Sequence, residues 1–219
     1  MSVYSRTIYP VSGEGYAHKL CHYLYNRYLP TGRKLLDIGC GKGDHMIAFA
    51  GLGMDSDGVD LLGDYGDQCD VSKDVFPYDC DTFDMIFSKS LLEHIGNPDH
   101  MLQEAKRVLK PGGIMVLMTP DWNSHHTHFW DDYTHQHPYT PKSLRDCITI
   151  NGFDNAHSEL FYQLPWLWSQ PWLRWVPPLV TACTTDGMKW KNNEQRNGQD
   201  RKLIRFSREQ MILASGVKP

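Results

Sequence analysis

The chain has 219 residues, a formal net charge of -4 and 22% charged residues, a balance that leaves no basic footprint for nucleic acid. That length suits one domain with a sizeable core, and no apolar run is long enough to span a bilayer. Six cysteines without C-x-x-C spacing (Cys21, Cys40, Cys69, Cys80, Cys147 and Cys183) argue against a disulfide frame or a zinc site, and with no basic-then-apolar leader a cytoplasmic setting is expected.

In chain order, residues 13–29 predict a helix, with Ala17, Leu20, Leu24 and Tyr28 at helical spacing and Pro30 and Gly32 ending it. Residues 34–38 read as a short buried parallel strand, broken by Gly39, Gly41 and Gly43, with Asp44 placed to cap the next helix. The dinucleotide fingerprint would need its third glycine at Asp44. Asp37, just before the turn, suits a ligand with a positive amino group and would repel a pyrophosphate. Residues 57–61 look like the tip of a second strand. Asp60 stands about 20 residues past the turn, where a carboxylate can accept from both ribose hydroxyls. Only a few residues separate it from the Cys69-Asp70-Val71 stretch, so a second crossover helix is absent or a single turn. Residues 82–88 form an apolar run typical of a buried parallel strand, with Ser88 at its carboxyl end.

Asn97-Pro98 opens a helix with Met101, Leu102, Ala105, Val108 and Leu109 on one face, stopped by Pro111-Gly112-Gly113. Residues 114–118 read as a fifth strand, and residues 119–139 as a long loop dense in histidine and aromatics. Thr140-Pro141 opens a helix through Ile148, and residues 153–161 supply a sixth strand. Four tryptophans and four prolines crowd residues 164–178, residues 186–201 are polar and read as a mobile loop, and residues 210–217 supply a seventh strand.

The stretch Leu-Leu-Asp-Ile-Gly-Cys-Gly-Lys-Gly at residues 35–43 resembles motif I of the class I S-adenosylmethionine-dependent methyltransferases. The F-D-x-I-x-S…L-E-H-I wording at residues 83–95 and R-V-L-K-P-G-G at residues 107–113 resemble later motifs of the small-molecule members. The resemblance implies an α/β, Rossmann-like, doubly wound seven-stranded sheet. It would be mostly parallel with an antiparallel last strand at the end of the sheet, plus an aromatic-rich inserted cap. It implies a single domain over residues 1–219: a helical flank at 1–30, a cofactor core at 31–120, a substrate loop and cap at 121–200, and a final strand at 201–219. It also implies S-adenosylmethionine as cofactor. Asp37 would hold its methionine amino group, and Gly39, Cys40 and Gly41 would lie beneath it. Asp60 and Leu61 would flank the ribose, Asp70 and Val71 the adenine, and Ser88 the strand-four edge.

An oxygen nucleophile must lose its proton, and His94 is the expected base, with Glu93 as the neighbouring alternative and a purely structural role as the bland reading. The histidine-rich loop has three readings. Trp122, His125, His126, His128, Trp130 and His135 line an acceptor pocket; His125, His128, Asp131, Asp132, His135 and His137 gather a metal; or the loop is a solvated lid. The pocket reading is preferred and no metal is expected, because no fixed metal-binding spacing is present. Trp166, Trp168, Trp172 and Trp175 suit a lid, a dimer contact or a peripheral membrane contact. The W-D-D-Y-T-H…P-Y-T-P-K-S-L wording resembles small-molecule O-methyltransferases, implying a sugar or lipid-linked sugar hydroxyl as acceptor. A quinone-type phenol, or cofactor binding without turnover, are the alternatives.

Overall fold

The computed structural model describes residues 14–28, 30, 32–189 and 202–219. Among them one sheet contains β1 (Lys34–Ile38), β2 (Asp55–Asp60), β3 (Asp67–Gln68), β4 (Phe83–Lys89), β5 (Leu109–Pro120), β6 (Asp154–Phe161) and β7 (Met211–Val217). Their spatial order is β3-β2-β1-β4-β5-β7-β6. Every pairing is parallel except those of β7, which runs antiparallel to both β5 and β6. The antiparallel strand expected at the end of the sheet is thus one place in from the edge. The strand order reverses between β1 and β4, the place where open α/β sheets leave a crevice for a ligand.

Helices α1 (Glu14–Tyr28), α2 (Asp44–Ala50), α3 (Pro98–Val108), α4 (Trp122–His125), α5 (Pro141–Ile150), α6 (Pro165–Ser169), α7 (Val176–Cys183) and α8 (Lys202–Arg208) surround the sheet. Successive strand residues point to opposite faces, so each central strand feeds two cores. Leu36, Ile38 and Ile86 join Met101, Leu102, Ala105, Leu144 and Ile148 on one side. Leu35, Met85 and Phe87 join Leu20, Leu24 and Phe49 on the other. Burial on both faces is why these strands read as continuous apolar runs.

Four local expectations change. Asp44 does not cap α2: Gly43 holds the cap position at φ 75, and Asp44 is the first helical residue. Pro111-Gly112-Gly113 ends α3 but lies inside β5, because Gly112 N–H donates to Lys218 O at 2.8 Å and Gly113 O accepts from Lys218 N at 3.0 Å. Residues 119–139 carry α4 and a 3₁₀ turn at Phe129–Asp131. Asp186–Lys189 forms another such turn, fixed by a buried Lys189–Glu209 pair at 2.7 Å and by Arg208 on Asp186 at 2.8 Å. The remainder of that polar stretch, 190–201, lies outside the described residues.

α5 packs tightly over β7. A Cβ added to Gly216 would sit 2.7 Å from Ile148 Cγ2 and 2.9 Å from Phe153 Cβ. Gly216→Ala should therefore destabilise the fold by about 1–3 kcal/mol, the range for overpacking a core. Urea unfolding would check this, and an unchanged midpoint would mean that α5 is not held against the sheet as described.

Candidate active site

The crevice at the carboxyl edge is built on the turn after β1. Gly39, Gly41 and Gly43 have φ of 78, 55 and 75, values that favour glycine. The N–H groups of Gly39 and Cys40 both donate to Val59 O, at 2.8 and 3.2 Å, tying the turn to β2. The two leading glycines have different tasks. A Cβ at Gly39 would lie 2.9 Å from Leu91, whereas one at Gly41 meets nothing within 4 Å. Gly41 is therefore the glycine beside open space, and Gly39 serves close packing. Cys40 is buried beneath the turn.

Asp37 is 1% exposed, and its Oδ2 has no hydrogen-bond partner. Burial, helped by the charge of Asp60 and opposed by Lys89, pushes its pKa up to about 8. A buried carboxylate with an empty oxygen is a fitting partner for an ammonium group. Asp60, at the end of β2, is held at both oxygens: Oδ2 accepts from Gly41 N–H at 3.0 Å and Oδ1 from Leu62 N–H at 3.1 Å. Each oxygen keeps a second lone pair for a hydroxyl. Leu61 beside it is 61% exposed, an apolar side chain uncovered at the crevice. Asp70 follows β3 and is engaged locally, accepting from Ser72 Oγ at 2.6 Å and pairing with Lys73 at 3.0 Å, while Val71 is buried. Ser88 donates to Ile38 O at 2.8 Å, so its hydroxyl braces β4 against β1.

Beyond β4, the backbone turns through Ser90 at φ 53 into a 3₁₀ turn, Leu92–His94. His94 Nδ1 is 2.8 Å from Thr134 Oγ1, and that hydroxyl donates to Asp132 Oδ1 at 2.7 Å. The hydroxyl proton is committed to Asp132, so His94 Nδ1 carries the proton and Nε2 is left with its lone pair. Nε2 lies 4.0 Å from Glu93 Oε1, while Glu93 Oε2 accepts from Thr119 at 2.8 Å. Burial pushes the Glu93 carboxyl up to about 7. It lowers the His94 pKa, with His135 adding to the effect, so His94 is a neutral base at pH 7. The two rings stand 4.6 Å apart, and His135 Nδ1 bonds Phe129 O at 2.6 Å.

Glu93, His94 and His135 offer three ligand atoms within 4.8 Å of one another, so this is where a divalent cation has donors. Asp132 reaches this cluster through Thr134 and His137 N–H donates to Glu93 O at 3.2 Å, while the other loop residues stand apart from it. His125 is turned to Asp121 O, His126 to Asn123 O, and His128 pairs with Asp131. Trp122 packs on Phe129 and Trp130, and Trp130 remains 56% exposed. Thr119 and Thr134 were not foreseen, because each reaches the cluster from a distant point of the chain. Lys89 was also missed, although a lysine closing an apolar strand was its visible signal.

A family model described as a methyltransferase domain matches residues 14–158, well over half of the chain. The chain belongs to this methyltransferase family. Its sheet and glycine turn are those of the S-adenosylmethionine-dependent class, and S-adenosylmethionine is its cofactor. The ubiquinone biosynthesis O-methyltransferase of Glaesserella parasuis is 32% identical over 107 residues, covering 40% of this chain and 45% of that one. The 27-O-demethylrifamycin SV methyltransferase of Amycolatopsis mediterranei is 31% identical over 106 residues, covering 41% and 39%. Both matches span less than half of the relative's length. A methyltransferase structure from Archaeoglobus fulgidus superimposes with a TM-score of 0.61 at 18% identity, covering 92% of this chain and 94% of that one. A phosphoethanolamine N-methyltransferase from Haemonchus contortus gives 0.64 at 18%, covering 91% and 52%.

Two outcomes test the cofactor pocket of this methyltransferase. Asp60→Ala should weaken S-adenosylmethionine by about 1.5–3 kcal/mol, and Gly41→Val should block it while the fold survives. Calorimetry giving wild-type affinity for either variant would remove that residue from the site. Asp37 has a pH signature of its own. With its folded pKa raised to about 8, it favours folding below the ordinary carboxylate range, and that advantage is lost as pH rises through about 8. At pH 7 it is mostly protonated, so ionising opposite an ammonium should expel up to about one proton, with affinity rising from pH 6 to 8. Titrations in buffers of different ionisation enthalpy measure that proton. Its absence, or its persistence in Asp37→Asn, would place the ammonium elsewhere.

Proposed function

We propose that this methyltransferase O-methylates a small-molecule acceptor, a hydroxyl of a sugar or lipid-linked sugar, with His94 as the base. S-adenosylmethionine, when bound, would supply a methyl group carried on its sulfonium sulfur, the thioether being the leaving group. The observation that carries the proposal is the chain Asp132–Thr134–His94, which fixes one imidazole tautomer and leaves Nε2 free to take a proton beyond the carboxyl end of β4. The Asp132 carboxylate, two hydrogen bonds away, stabilises the imidazolium once the proton arrives. Asp37 and Asp60 orient the cofactor's amino and ribose groups, and Trp122, Phe129 and Trp130 form an aromatic wall for the acceptor beside His135. No metal is needed for this role, and His135 tunes His94 rather than sharing an ion with it.

A phenolic, quinone-type acceptor is the second reading. It draws on the ubiquinone-pathway relative and on Trp172 and Trp175, which stand 71% and 60% exposed on the segment between α6 and α7, where a peripheral membrane contact can form. Among the described residues no helix is long and apolar enough to cross a membrane.

His94→Ala should lower methyl transfer by about 10²–10⁴-fold with cofactor affinity nearly unchanged, and the acid limb of the pH–rate profile should vanish. Release of S-adenosylhomocysteine with panels of sugar and phenol acceptors reads this out. Near-normal rates in the variant would put the base elsewhere, and a joint loss of rate and cofactor binding would make His94 structural. A panel yielding no product with any acceptor would favour cofactor binding without turnover. Turnover should also survive exhaustive chelation; activity lost to a chelator and restored by one divalent ion would make Glu93, His94 and His135 a metal centre.

A further inference from the structure

Lys89 closes β4 at the carboxyl edge of the sheet, where β1 ends just past Asp37. The two strands run parallel with Asp37 opposite Phe87, so Lys89 stands two residues beyond that pair. Strand alternation turns Asp37, Phe87 and Lys89 to one face, the face on which Leu35, Met85 and Phe87 pack with Ala17, Leu20 and Tyr16 of α1. One strand spacing and two steps of rise separate the Asp37 and Lys89 Cα atoms by roughly 8 Å, within the combined reach of the two side chains. Their charges are felt mutually. Burial raises the Asp37 pKa and Lys89 opposes that rise; burial lowers the Lys89 pKa and Glu93 and Asp37 oppose that fall.

The two groups are nevertheless unpaired. Half-buried Lys89 donates from Nζ to Ser90 Oγ at 3.3 Å and lies 6.0 Å from the centroid of the Tyr16 ring, and among the described residues no carboxylate forms an ion pair with it. Glu93 has one oxygen on Thr119 and the other toward His94, and Arg205 of α8, itself bonded to Glu209, repels the ammonium. Asp37 Oδ2 has no hydrogen-bond partner at all. Two unsatisfied charges of opposite sign thus share one face of one crevice, each costly until it is answered. An α-amino acid carries its ammonium and carboxylate on a single carbon and answers both together. A simple amine would answer Asp37 alone.

We infer that Lys89 is the partner of the methionine carboxylate of S-adenosylmethionine, so that Asp37 and Lys89 clamp the zwitterionic end of the cofactor. Tyr16 holds the ammonium on the α1 side of the crevice until the carboxylate replaces the ring. Lys89 is then a cofactor-binding residue and takes no part in proton transfer at His94. The inference rests on the reading of Asp37 as the partner of the amino group and supplies the opposite charge.

Binding tests this without acceptor or turnover. S-adenosylhomocysteine and its decarboxylated analogue, which keeps the amino group, are titrated against the full chain by calorimetry. The wild-type chain should bind S-adenosylhomocysteine about tenfold or more tightly than the analogue, the scale of a hydrogen bond between charged groups. Lys89→Met should erase that preference, and its affinity for the analogue should equal or exceed that of the wild type, because a lone ligand ammonium no longer meets a like charge. Lys89→Arg should retain most of the preference, and Lys89→Gln should behave as Lys89→Met does if the methionine variant fails to fold. Equal wild-type affinity for the two ligands, a preference that survives loss of the Lys89 charge, or an equal weakening of both ligands in that variant would each overturn the inference. Asp37→Asn should weaken both ligands alike. If it weakens neither, the amino-group reading falls by itself, and the carboxylate comparison still judges Lys89.

Discussion

Asp37 is buried at the end of β1 with one oxygen lacking any partner, and that arrangement is costly until a cation arrives. The surrounding structure preserves this vacancy rather than filling it. Lys89 is near enough to lower the cost but does not close into an ion pair. The glycine turn brings backbone N–H groups to Val59 and Asp60, not to Asp37. The sheet stores an electrostatic demand at its switch point, one that suits a ligand with a positive amino group. Affinity of this kind comes from a group already desolvated, so little reorganisation is left to oppose binding.

The proposed base, His94, is arranged on a similar principle with neutral parts. Thr134 cannot donate to both Asp132 and His94, and that single choice fixes which imidazole nitrogen is basic. The loop between β5 and α5 contributes this one device to the cluster, with His135 packed against it, while His125, His126 and His128 are spent on holding the loop's own turns. The aromatic wall and the proton acceptor are thus products of one loop closing on the 3₁₀ turn after β4, with Gln136 N–H donating to Glu93 O at 2.7 Å.

The central strands were readable because burial on both faces leaves an unmistakable apolar run. β1 was placed at residues 34–38, and β4 begins and ends one residue from its expected bounds. Asn97 caps α3 and Thr140 caps α5 as their side-chain chemistry suggests. What sequence could not show was long-range pairing. Pro111-Gly112-Gly113 looks like a plain stop until Lys218 is seen beside it, and the packing of Leu91 against Gly39 is likewise invisible from the turn alone. Composition flagged the histidine loop but could not say which ring faces His94, since that depends on Phe129 O holding His135 in place. Lys89 gives no such compositional signal in the sequence, because its contact is with Tyr16, more than seventy residues earlier.

The position of β7 bears on how the chain is made. Among the described residues β6 has no other neighbour in the sheet, so the pairing of residues 154–161 waits until residues 211–217 have left the ribosome. During that interval β1, β2, β4 and β5 can already assemble around the cofactor turn, while β5 keeps an open edge that only β7 covers. An uncovered edge flanked by Ile114, Val116 and Met118 invites pairing with another nascent chain. Synthesis therefore passes through a stage in which the cofactor half is formed and the acceptor half is not. A ligand or chaperone that occupies the growing sheet at that stage would raise the yield of folded protein without altering its final stability.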